Sequence, residues 1–190
     1  MNNITCIKDK LSRIEKRNWR EACQYLYSCW YNDKNNGELC MLLIEETTMY
    51  LMEMEAGRDP GLHLNNNASK RNKRLFIRYK ETALSYGLEN CLSSKYFVWR
   101  LCYLLLHIET YLVLLDSRIS TLEEANSILL ELLDKGKERF PDSLLLLEIE
   151  NVLNRSHSYY NYNKDPRLAE EIKEYRLQNN IVDQEIMDIF

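Results

Sequence analysis

At 190 residues, 45% of them hydrophobic and 28% charged, the chain is long enough to bury a continuous core as one domain, 1–190, without disulfides or metals. Only 5 Gly and 3 Pro are present, too little punctuation for the short strands and tight hairpins of a β-rich fold, and no Gly-rich phosphate loop, nucleophile elbow or dinucleotide fingerprint occurs. The formal charge is −4, and residues 121–190 carry 15 acidic and 8 basic side chains, net −7, which argues against wholesale wrapping of nucleic acid.

The elements read in chain order as helices. Ile4, Ile7, Leu11 and Ile14 recur at helical spacing and predict an amphipathic helix to Arg17. Asn18 is placed to cap a second helix with Trp19, Ala22, Cys23, Leu26 and Trp30 inward, ended by the polar run 32–37. A third spans Glu38 to Ala56, with Leu39, Leu42, Leu43, Thr47, Tyr50, Leu51 and Met54 inward and Gly57 at its C-terminal cap. After a loop over 58–68, Ser69 is expected to cap a fourth helix that ends at Gly87 and buries Leu75, Tyr79, Ala83 and Tyr86.

A fifth helix, from Leu92 to Asp116, is apolar nearly all round, so other helices must surround it. Its apolar centre is long enough to cross a bilayer, but Arg100, His107 and Glu109 lie inside it, each costly in lipid, so a buried central helix is the expectation. Thr121-Leu-Glu-Glu124 has the form of a capping box and opens a sixth helix to Phe140. Pro141-Asp142-Ser143 starts a seventh, Asp165-Pro166 introduces a polar helix over 167–178, and a short helix near 182–189 closes the chain. The fold class is therefore all-α, an irregular stack of antiparallel helical hairpins around a long central helix.

Two stretches carry a family resemblance. Trp19-Arg-Glu-Ala22 with Leu26, and Leu122-Glu-Glu-Ala125 followed by Leu129, Leu132, Leu133, Phe140 and Pro141, resemble tetratricopeptide-type helical repeats, in which a large residue packs on small ones of the partner helix. The resemblance implies protein binding on a concave face and brings no catalytic residue with it. A strict repeat period is missing. Separately, Arg100-Leu-Cys-Tyr-Leu-Leu-Leu-His107 is similar to the arginine-to-histidine helix motif of the HEPN ribonucleases. That similarity implies acid/base chemistry by His107 and phosphate contact by Arg100; a hydrogen-bonded core histidine is the competing account.

The six cysteines, Cys6, Cys23, Cys29, Cys40, Cys91 and Cys102, form no CxxC pair and have no histidine at zinc-ligand spacing, so free, mostly buried thiols are expected. Glu45, Glu46, Glu53 and Glu55 invite a carboxylate metal site, but no Glu-x-x-His accompanies them, and a solvated acidic face is the better reading. No metal or cofactor is expected. The N-terminus is charged where a secretory signal needs an apolar run, so a cytoplasmic location is expected.

Three clusters are candidate contact sites for another protein. Lys70, Arg71, Lys73 and Arg74, continued by Arg78 and Lys80, form the clearest basic cluster, able to meet phosphate or an acidic protein. Tyr159, Tyr160 and Tyr162 concentrate rigid, amphipathic contact area in a predicted loop. Glu170, Glu171 and Glu174 could extend that surface toward a basic partner. The leading expectation is a non-enzymatic protein-binding module, most concretely an acidic cytosolic immunity protein or antitoxin that covers a basic toxin such as a nuclease. The alternatives are a HEPN-like ribonuclease using Arg100 and His107, and a tetratricopeptide-like regulatory adaptor with Lys70 to Arg74 near phosphate.

Overall fold

The computed structural model describes residues 4–14, 18–59, 66–106 and 121–155. Among these the chain is all-helical, with α1 (Ile4–Arg13), α2 (Trp19–Asn32), α3 (Gly37–Glu55), α4 (Asn66–Asn90), α5 (Lys95–Leu106), α6 (Leu122–Arg139) and α7 (Leu144–Arg155). The expected 167–178 and 182–189 helices lie outside the described residues.

Local chemistry sets most of the boundaries. The Asn18 side chain accepts from Glu21 N and opens α2, and the Asn36 side chain accepts from Leu39 N and opens α3. Gly57, at φ 74, takes the left-handed conformation that follows the end of α3 and that a side chain would strain. At α6 both halves of the capping box form: Thr121 Oγ1 accepts from Glu124 N and the Glu124 carboxylate accepts from Thr121 N, each at 3.1 Å. Ser94 Oγ accepts from Phe97 N at 3.2 Å and Ser143 Oγ from Leu146 N at 3.4 Å, so serines begin α5 and α7.

Four boundaries depart from the sequence expectation. The first helix ends at Arg13 rather than Arg17. Ser69 does not cap α4, which begins at Asn66; its hydroxyl donates instead to the buried Asp59 carboxylate. Gly87 does not end α4, which continues to Asn90. It is a close-approach site, where a Cβ would collide with the Phe97 ring and stand 3.0 Å from Cys40 Sγ. The expected fifth helix starts at Lys95, because residues 91–94 turn the chain out of α4.

The order of contacts gives the topology. Tyr27 stacks on Tyr79 at 4.0 Å and Trp30 meets Tyr86 edge-on at 5.7 Å, so α2 and α4 run in the same direction. The Cys40 thiol donates to the Ala83 carbonyl at 3.2 Å while Tyr50 lies 5.8 Å from Phe76, so α3 runs against α4. A Cβ on Gly37 would strike Ser94 and Phe97, and Glu45 meets Arg100, so α5 lies along α3 in parallel. The end of α6 meets the start of both α5 and α7 around Gly136, where a Cβ would fall 2.8 Å from Val98 and 2.9 Å from Leu146. α3 is thus antiparallel to both α2 and α4, and parallel to α5.

One core runs through the described helices. Nine of the twelve residues of α5 are buried, as its all-round apolar character predicts, against nine of the nineteen of α3. Cys40, Met41, Ile44 and Thr48 join the expected inward face of α3 because α2, α4 and α5 all pack on it. The buried Thr47 and Thr48 hydroxyls donate to Leu43 and Ile44 carbonyls at 2.6 and 2.7 Å, which satisfies them within the helix. Lys80, expected to continue the exposed basic cluster, is fully buried.

Candidate protein-binding surface

Arg100 of the HEPN-like motif lies inside the seam between α3 and α5. Its Nε and an Nη both reach Glu45 Oε1 at 2.5 Å, with side-chain exposures of 13% and 16%. Its guanidinium also lies 5.5 Å from the Trp99 ring centre and 5.8 Å from that of Tyr103. A shielded, charge-assisted pair of this kind positions two helices. Glu45 is thereby removed from the expected solvated acidic face, and Glu53 and Glu55 are paired with Arg58 and Lys73. His107 lies outside the described residues.

The basic cluster splits in three dimensions. Lys70, Arg71, Lys73 and Arg74 are all exposed on α4. Lys73 turns toward Glu55 of α3, and Arg71 Nε donates to the Asn67 carbonyl at 3.3 Å. Helical spacing puts Arg71, Arg74 and Arg78 on a single outward ridge. Tyr159, Tyr160, Tyr162, Glu170, Glu171 and Glu174 lie outside the described residues.

Among the described residues, an acidic surface that sequence reading passed over lies on the outer face of α6. Glu123, Ser127, Leu130, Glu131, Asp134 and Glu138 follow helical spacing and are all exposed, while Ala125, Leu129, Leu132 and Leu133 face the core. Leu130, 54% exposed, sits in the middle of this ridge. The signal was present in the spacing, but the expectation weighed only the inward side of this helix.

Glu138 connects the ridge to an open cleft of about 310 Å³, whose Leu92 and Val98 floor is flanked by Lys135, Gly136 and Arg139. Two neighbouring lysines are already engaged, Lys135 with Glu131 at 2.5 Å and Lys137 with Glu150 of α7, while Arg139 is exposed at the end of the helix. An apolar side chain within an acidic rim, beside a cleft that can accept a protruding side chain, is the usual make-up of a protein-contact surface.

Three of the buried thiols, Cys23, Cys40 and Cys102, are held in the protonated form. Cys6 is exposed and the other five are buried. Burial pushes the Cys102 thiol up to about 12 and raises Cys23. A hydrogen bond between Cys40 and Cys91 raises the first and lowers the second. Among the described residues no group of three or more His, Cys, Asp or Glu could hold a metal ion, and no helix is long and apolar enough to cross a membrane. Comparison with known proteins gives no match: no family model, no curated protein and no solved structure matches the chain.

Proposed function

We propose that the protein is a non-enzymatic binding module that receives a basic protein on the outer face of α6, as an immunity protein or antitoxin receives a cationic toxin domain. The observation that carries this reading is Leu130, exposed at the centre of the Glu123, Glu131, Asp134 and Glu138 ridge, next to the Leu92 and Val98 cleft. The carboxylates would steer a cationic partner and set its orientation, and Leu130 with the cleft would supply the desolvated contact.

The test is co-expression with the product of the neighbouring gene. A cationic domain should co-purify with the wild-type chain, and Leu130→Asp with Asp134→Lys should release it. Retention by the double variant, or a partner without a basic surface, would defeat the reading. The HEPN-like alternative has its own test: His107→Ala should abolish RNA cleavage if that chemistry operates, and unchanged cleavage would end it.

A further inference from the structure

A second surface, separate from α6, lies where the parallel helices α2 and α4 meet. Arg20, Gln24, Tyr27 and Tyr31 form one outward ridge on α2, and Arg71, Arg74 and Arg78 form another on α4. The Tyr27 ring joins the two. It stacks 4.0 Å from Tyr79, itself 5.9 Å from the Arg78 guanidinium, and lies 6.1 Å from Tyr31. At the far end the Lys34 ammonium sits 4.2 Å above Tyr31, which is 57% exposed. The result is a ladder of three tyrosines with a cation at each end.

The arginines here differ from five other cations of the protein. Arg58, Lys73, Arg100, Lys135 and Lys137 each have a carboxylate partner. Among the described residues Arg20, Arg74 and Arg78 have none. Three exposed guanidinium groups, none paired with a carboxylate among the described residues, form a candidate anion site, and guanidinium geometry suits phosphate.

From this arrangement we infer that the α2/α4 face binds a short stretch of single-stranded nucleic acid, phosphates on Arg20, Arg74 and Arg78 and one base on Tyr31. The alternation of rings and arginines favours this ligand over an acidic peptide, since carboxylates use the charges but have no use for an exposed ring. A base arriving on Tyr31 takes the place of the Lys34 ammonium over that ring. Arg20 to Tyr31 spans about 16 Å of helix, room for on the order of four nucleotides, so the contact is local and compatible with the acidic character elsewhere.

Fluorescence anisotropy of a labelled oligothymidylate on the full chain tests the inference. Binding should be measurable at about 20 mM salt and fall about 100-fold for a tenfold rise in salt, as about three phosphate contacts require. Arg20→Ala with Arg78→Ala should flatten that dependence to less than about tenfold, whereas Tyr31→Ala should weaken binding about tenfold at unchanged salt dependence. These positions are exposed, and unchanged circular dichroism would show that the variants fold. Three results would overturn the inference: no binding at low salt, an unaltered salt dependence in the arginine variant, or displacement by polyglutamate at matched charge.

Discussion

The α6 ridge and the α2/α4 face are both charged helix surfaces, yet they handle their charges in opposite ways. On α6 the two lysines are bound to carboxylates, Lys135 to Glu131 and Lys137 to Glu150, while Glu123, Asp134 and Glu138 give the ridge its acidic sign. Beside the α2/α4 face, Glu53 and Glu55 of α3 take up Arg58 and Lys73, and among the described residues Arg20, Arg74 and Arg78 are left without a carboxylate partner. Exposed ion pairs contribute little to stability, so the difference bears on what each surface attracts rather than on how firmly the protein folds. A net charge of −4 conceals both surfaces, because it averages them.

Both surfaces rest on the same buried core. Phe97 is fully buried where α3, α4 and α5 converge at Gly37 and Gly87, and Phe97→Ala should cost about 3–5 kcal/mol by denaturant unfolding and weaken both surfaces together. Loss at one surface alone would show that they do not share this support. A smaller effect, about 1–3 kcal/mol, is expected for Arg100→Ala, which leaves the half-buried Glu45 without its guanidinium. Arg100→Lys should recover only part of that loss, since an ammonium cannot reproduce the double contact of Nε and an Nη with Glu45. Full recovery would reduce the interaction to charge alone.

Removing the α6 cap sharpens the contrast, because Thr121→Ala should cost about 1 kcal/mol and act on one surface only. Faster amide exchange should appear over the first turn of α6, with α2 and α4 unchanged. The smallest effect is expected at Arg78→Ala, within about 0.5 kcal/mol by the same unfolding measurement, because the side chain is exposed and has no carboxylate partner. A larger loss would mean that Arg78 holds the fold rather than waiting for a ligand.

Much of the architecture was legible in the sequence because its signals are local. The caps at Asn18, Gly57 and Thr121, and the apolar face of α5, depend on residues a few positions apart. Gly87 misled because glycine serves equally as a helix stop and as a gap for a neighbour, and only Phe97, on another helix, shows which. Lys80 misled for a related reason: helical phase places it with Phe76 and Ala83, but its charge and sequence neighbours pointed outward. The fate of Arg100 could not be read from its own helix, because Glu45 lies 55 positions away. The α2/α4 face likewise joins residues from helices separated by α3, and no spacing rule along one helix links Tyr27 to Tyr79.

Where a partner touches the protein distinguishes the two surfaces. A photoreactive residue placed at position 130 and, in a second variant, at Gln24 of α2 would report this in the native cell. The reading predicts that the α6 probe is joined to one cationic protein and that the α2 probe does not capture it. Capture of that protein from Gln24 and not from Leu130, or capture at 130 that survives Asp134→Lys, would contradict it.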